Sequence, residues 1–275
     1  MTVTWPSTVK IFDGSGSPVL DMHAIASFTE RAFPATEVES LGDLPSLCLS
    51  KLSDAGSGLI TRTATELAAA RVVDISKELS PDVINSIPRV LIDYERRMLE
   101  REPPRPVGVM YDGFALADVY AELLRSSGIH SPADLAVVIT DQLPGTFDPN
   151  DFRYHARVII FGDPCIISTT GLIEAPARPR GYYIERQTGV GGAQLEDERS
   201  DEWLHRDDPR TTEVVKGYLA QALFFYATGE PFCDNSDCRL FNAHRQEEML
   251  RAQLRGGDDF CEYHERLAAT VSTGG

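Results

Sequence analysis

The sequence predicts an α/β protein: a mixed sheet with helices, followed by a C-terminal segment rich in cysteine and histidine. Three observations carry that prediction. Residues 135–140 (LAVVIT), 158–161 (VIIF) and 165–169 (CIIST) are short apolar runs, two of them rich in β-branched residues, of the kind that form buried strands. Stretches with helical spacing, such as residues 114–125, lie between and around such runs. The composition, 42% hydrophobic and 25% charged over 275 residues, is that of a soluble globular chain with ample length for a core.

Taken in order, residues 8–13 (TVKIFD) read as a strand entering a Gly14-Ser15-Gly16 turn. Residues 20–33 follow with helical spacing through Ile25, Phe28 and Ala32. Residues 36–41 read as a second strand and residues 43–58 as loop. Alanines and Leu67 support a helix over about 61–73. Ser80-Pro81 has the chemistry of a helix start, and Pro88 restarts the chain into a charged helix over 89–101. The proline-rich 102–106 (EPPRP) is held extended and marks the expected boundary between an N-terminal α/β subdomain, 1–104, and a second domain, 105–275.

Past that boundary, residues 106–111 (PVGVMY) read as a strand and 114–125 as an amphipathic helix. The three apolar runs come next, the last two separated by the Gly162-Asp163-Pro164 turn. Residues 186–208 are polar, Gly-rich and acidic, as expected of a mobile surface loop. Asp208-Pro209 then opens a helix to about Thr228, with an apolar face of Val215, Leu219, Ala222 and Tyr226, and Gly229 stops it. A last helix is expected over about 243–255, before a frayed tail.

The net charge of −16 argues against nucleic acid or anionic membrane as a partner, because both require a basic surface. No apolar run approaches the roughly 20 residues of a membrane-spanning helix. The first residues, MTVTWPSTVKIFDG, lack the charged and apolar regions of a secretion signal. Five cysteines, three of them clustered, fit a reducing compartment and a metal better than disulfides, so a cytoplasmic location is expected.

That cluster is Cys233-x4-Cys238, then Cys261-x2-His264. Thiolate and imidazole are preferred ligands of tetrahedral Zn2+, and two short-spaced pairs joined by the fold make a closed site. His264 is the leading fourth ligand, with His244 and Asp258 as rivals.

With these cysteines aligned, the segment resembles the archaemetzincins, a branch of the metzincin zinc peptidases. Their pattern is HExxHxxGxxHC, then x4-C, then a later C-x2-C pair. Gly229 falls on the motif's glycine, where the helix ends and the chain turns back. Cys261 falls in the last pair, with Asp258 where its partner would stand and His264 as the replacement. The three catalytic-zinc histidines fall on Ala222, Tyr226 and Phe232, and the catalytic glutamate on Leu223. The resemblance, covering roughly residues 106–265, therefore implies a metzincin-like domain that keeps a structural zinc and has lost the peptidase zinc site. The phrases STTGLIEAPARP and CRLFNAH also resemble uncharacterised metallopeptidase-like proteins.

Other residues offer chemistry. Alternation places Arg153, His155 and Arg157 on one side of an extended segment, where guanidinium forks can grip a carboxylate or phosphate and His155 can act as general acid or base. Ser168-Thr169-Thr170 and Glu174 offer hydroxyls and a carboxylate at a strand end, and the resemblance implies that this strand edges a substrate cleft. His244-x-x-Glu247 has a metal-binding spacing that is also common on solvated helix faces. Asp112 reads as a helix cap, at a strand end that also suits a ligand cleft.

Three functions stay open on the sequence. The first is a zinc protein binding a small-molecule or peptide ligand in the old cleft. The second is a zinc-dependent hydrolase or transferase with relocated catalytic residues, drawn from His155, Glu174, Arg153 and Arg157. The third is an interaction protein with an acidic docking surface.

Overall fold

The computed structural model describes residues 3–52, 57–80, 87–101, 108–179, 182–184, 201–254 and 259–270. It is an α/β fold with two sheets and flanking helices. The chain divides into two compact units. The first comprises Met1–Trp5, Pro18–Glu37 and Leu172–Gly275, and the second Pro6–Ser17 and Val38–Gly171. Segments from both sides of the expected boundary at residue 104 join in each unit, and the proline-rich 102–106 lies outside the described residues.

The second unit is built on a five-stranded sheet. Its strands are β1 (Thr8–Gly14), β2 (Glu37–Leu41), β4 (Leu135–Thr140), β7 (Ile159–Ile160) and β8 (Cys165–Ser168), in the order β2-β1-β4-β8-β7. β1 and β8 flank β4 in parallel, pairing Ile11 with Val137 and Ile139 with Ile167, whereas β7 runs antiparallel to β8. Every residue of β4 is buried, which is why its sequence is a continuous apolar run rather than an alternation. The expectation that Cys165–Ser168 edges a cleft is corrected here: β8 lies inside the sheet and β7 is its edge.

A second sheet, β3-β5-β6, joins β3 (Met110–Asp112), β5 (Leu143–Asp148) and β6 (Arg153–Ala156). β5 and β6 form a hairpin that pairs Thr146 with His155 and Asp148 with Arg153.

Helix α5 (Gly113–Ser127) starts where Asp112 accepts the N–H groups of Phe114 and Ala115, and it ends at Gly128, whose φ of +62° favours glycine. Its Leu116, Tyr120, Leu123 and Leu124 enter a core with Phe12, Leu67, Val138 and Ile166. The sequence-predicted loop 43–58 contains a helix, α2 (Leu44–Lys51), capped by Asp43 and carrying Pro45 in its first turn. Helices α3 (Ser57–Ala69) and α4 (Arg89–Leu99) complete this layer. The fully buried Glu95 of α4 meets Arg71 at 2.9 Å and the Tyr111 hydroxyl at 3.1 Å. Cys48 and Cys165 are ordinary buried thiols of this unit, each raised by burial.

In the first unit, α7 (Thr211–Thr228) is buried along most of its length, and α1 (Met22–Ala32) and α8 (Gln246–Leu254) pack against it. Trp5, Phe33, Phe224 and Phe260 form an edge-to-face aromatic cluster at ring separations of 4.9–5.9 Å. Trp203 and Leu204, in the expected surface loop 186–208, are buried, whereas residues 186–200 lie outside the described residues. Asp208 does not cap α7 directly. It binds the Arg210 backbone N–H and guanidinium instead. Among the described residues no helix is long and apolar enough to cross a membrane.

One glycine tests this packing. Short helix α6 (Thr169–Glu174) follows β8, and a Cβ at Gly171 would stand 2.3 Å from the Arg157 carbonyl oxygen, a backbone atom that cannot swing aside. Gly171→Ala is expected to destabilise the protein by about 1–3 kcal/mol in chemical denaturation.

Candidate metal centre

The centre begins where α7 stops. Gly229, at φ +76°, accepts the left-handed turn that a side chain resists, and the chain doubles back into the segment 233–241. Two contacts close that segment: the Cys233 N–H donates to the Leu240 carbonyl at 2.9 Å, and the Cys238 N–H to the Asn235 carbonyl at 3.0 Å. The Asn235 N–H points at the Cys233 sulfur at 3.4 Å. Cys261 arrives separately, at the N-cap of α9 (Glu262–Ala268), and places His264 one helical turn on, on the same face.

The fold brings Cys233, Cys238, Cys261 and His264 together. One ligand atom from each lies within 4.8 Å of the others, close enough to surround a single metal ion. Cys261 Sγ is 3.1 Å from His264 Nδ1 and 3.9 Å from Cys233 Sγ. Cys238 is buried, and the other three are half-buried.

The protonation pattern follows from burial and neighbours. Burial pushes the Cys238 thiol up to about 12 and raises Cys233 as well. Burial also raises Cys261, but N–H donation from His264 and Tyr263 and contact with the other thiols outweigh it, so Cys261 sits below the usual thiol value. Burial lowers His264, keeping its imidazole neutral and its lone pair available. Three thiol donors and a neutral imidazole match a known structural zinc ligand set.

Arg239, the residue after Cys238, anchors this loop. Its guanidinium contacts Asp259 at 2.7 Å and Glu213 at 3.3 Å and lies 5.2 Å from the Phe28 ring centre. Its carbonyl accepts Gln253 Nε2 at 2.9 Å. His264 in turn sits edge-on to Phe224, 5.2 Å between ring centres, which joins the ligand set to the aromatic cluster.

One rival ligand stands apart from this group. His244 is exposed and outside the set, and its backbone N–H is capped by Glu248 at 3.0 Å. Asp258 lies outside the described residues. Of the positions that the resemblance assigned to the peptidase zinc, Ala222 and Leu223 are buried, Tyr226 is half-buried and Phe232 is exposed.

The other candidates fall elsewhere. His155 lies on β6, 2.8 Å from Asp151, with Arg153 and Arg157 exposed, Arg157 Nε donating to Thr146 Oγ1 at 2.7 Å, and Tyr154 buried between Arg153 and His155. Glu174 is the exposed last residue of α6 and belongs to the first unit, and His155 belongs to the second. Ser168, Thr169 and Thr170 spend their hydroxyls on the carbonyls of Gln142, Thr140 and Asp141, at 2.6, 3.2 and 2.6 Å. Asp112 caps α5 with one oxygen and accepts the Tyr154 hydroxyl with the other at 2.8 Å. It also lines a cavity of about 630 Å³ with Arg62, Glu66, Asp118 and Glu122.

Sequence reasoning missed Asp148 and Asp151. With His155 they form a second group of donor atoms within 4.8 Å of one another. The signal was present as the DPND turn before His155, but no local spacing rule joins it to a strand residue.

A family profile described as Probable metallopeptidase family (DUF6775) matches residues 6–271. No curated protein matches the chain. A solved structure described as a zinc-dependent peptidase from Methanocorpusculum labreanum (strain Z) is 12% identical. The alignment covers 94% of this chain and 98% of that one, with a TM-score of 0.39.

The raised thiols set a test of the centre. Metal binding at pH 7 is expected to release a proton from each of Cys233 and Cys238, so apparent affinity rises with pH by up to about tenfold per unit for each proton released. Titration of the metal-free protein with Zn2+ in weakly buffered solution measures that release directly. A pH-independent affinity would contradict thiol ligation.

Proposed function

The chain belongs to the probable metallopeptidase family DUF6775, and from that premise we propose a zinc protein on a metzincin-type scaffold whose Cys233, Cys238, Cys261 and His264 hold a structural Zn2+. The observation that carries the reading is the convergence of those four donors within 4.8 Å. All four positions of a tetrahedral ion are filled by protein atoms, so the site leaves none open for water or substrate. Its work is to hold the segment after α7 to α9.

The HExxH mechanism is absent in this reading. At the positions that would carry the catalytic ion and its general base stand Ala222, Leu223, Tyr226 and Phe232, and none of them offers a carboxylate or imidazole. The end of α7 at Gly229 and the cysteine spacing after it support descent from that scaffold. What the protein retains is recognition of a small-molecule or peptide ligand, in a reducing compartment such as the cytoplasm where the thiols stay available to metal. The acidic net charge argues against nucleic acid or anionic membrane as a partner.

Elemental analysis of the purified chain and of Cys238→Ser tests the structural role. The wild type is expected to retain tightly held zinc. The variant is expected to lose that zinc and its cooperative thermal transition together, because the binding free energy of such a site is folding free energy. A Cys238→Ser protein that keeps its zinc and its fold would sink the proposal. His244→Ala is expected to leave both unchanged.

A further inference from the structure

We infer that the β5–β6 hairpin carries a second, open divalent-metal site formed by Asp148, Asp151 and His155. The inference rests on reading the Cys3His centre as structural. A set that closes its ion with four protein ligands leaves no coordination position for water or substrate. Among the described residues, the other group of metal-ligating atoms within 4.8 Å of one another is the hairpin group.

Its construction suits that use. The hairpin register pairs Thr146 with His155 and Asp148 with Arg153, so Thr146, Asp148, Arg153 and His155 share one face of the ribbon. The turn brings Asp151 back to that face, where its Oδ2 stands 2.8 Å from His155 Nε2. Those two atoms face each other, and a cation bound there would take the place of their hydrogen bond. The Asn150 backbone N–H and amide both donate to Asp148 Oδ1, at 2.8 and 2.9 Å, which leaves Oδ2 for a ligand.

Two carboxylates and one imidazole are a mixed oxygen and nitrogen set, suited to Zn2+, Mn2+ or Co2+ rather than to a thiolate-seeking ion. Three protein ligands leave positions for water or substrate, as a catalytic ion requires and a structural one does not. Asp151 is exposed and the other two residues are half-buried, so a dissolved ion and a small ligand can reach them. The flanking cations indicate the ligand. Arg157 is fixed by its Nε bond to Thr146 at 2.7 Å, and Arg153 lies opposite Asp148 in the ladder. Guanidinium groups beside a metal ion fit a ligand with a carboxylate, which they can grip in bidentate fashion while the ion takes a neighbouring oxygen. A peptide C-terminus or a small carboxylic acid has that chemistry.

The test uses Co2+ alone, titrated into the full chain after removal of metal. The Cys3His centre gives intense thiolate-to-cobalt charge-transfer bands, and the hairpin site gives none. Wild type is expected to take up one equivalent with those bands and a second, weaker one without them. His155→Ala and Asp151→Asn are expected to weaken only the second, by roughly tenfold or more. Asp151 lies at the exposed turn and His155 is a half-buried residue of β6, so circular dichroism checks that the fold is kept. A wild-type protein that binds only the charge-transfer equivalent would overturn the inference, as would two variants that titrate like wild type. Loss of the charge-transfer equivalent from the wild type would instead overturn the structural-zinc reading, so the two failures are distinguishable.

Discussion

The contact between the rings of Phe224 and His264 is where the chemistry of the first unit meets its packing. Phe224 is a fully buried residue of α7 and touches Trp5, Phe33 and Phe260 at edge-to-face distances. Each such pair contributes on the order of 0.5–1.5 kcal/mol beyond area burial, so the cluster holds its ring orientations firmly. His264 inherits that order. Its Nδ1 points at the Cys261 sulfur, and burial lowers the tendency of the imidazole to take a proton. Arg239 supplies the complementary constraint from the other ligand pair, through Asp259, Glu213 and the face of Phe28. A metal ion placed among these donors would unite two chain segments that the aromatic cluster and the arginine have already positioned.

The cysteine centre was legible in the sequence because its parts are local. A Cys-x4-Cys pair needs only a tight turn, which the Asn235 and Cys238 hydrogen bonds provide. Cys-x2-His needs only one helical turn, which α9 provides. The continuous run LAVVIT gave β4 for the same reason, since a strand buried on both faces needs no alternation. Gly229 announced the end of α7 because the left-handed turn there favours its residue type.

The hairpin was not legible. Its first strand contains Pro144-Gly145, a dipeptide that signals a turn, yet both residues are buried and paired within β5. Pro144 is tolerated because its carbonyl still accepts the Arg157 N–H at 2.8 Å, and Gly145 because a Cβ there would stand 2.6 Å from the Met110 sulfur. Convergence of Asp148, Asp151 and His155 depends on that register, which side-chain spacing along the chain does not encode. The buried Glu95 was hidden in the same way: a charged residue in a charged helix gives no hint that Arg71 and Tyr111 will enclose it. The edge position of β7 also depends on sheet order rather than on its own two residues.

The two donor groups differ in the physical property that decides what a metal site can do. In the cysteine centre, burial favours the protonated form of two thiols. An ion must displace those protons, and once it does so the four protein ligands exclude water. In the hairpin, hydrogen bonds from Asn150 hold Asp148 below the usual carboxylate range, and solvent reaches the group. Such a carboxylate is charged before an ion arrives, and three exposed or half-buried residues cannot enclose the ion once it does. Helix α7 could host neither arrangement at residues 222 and 223, because Ala222 and Leu223 are core residues. A histidine and a glutamate there would cost several kcal/mol in unpaired buried polarity unless a metal compensated them. With apolar residues at both positions, that stretch of helix is part of the core. An ion that must keep a position open is better served by the exposed hairpin turn, where solvent reaches the donors.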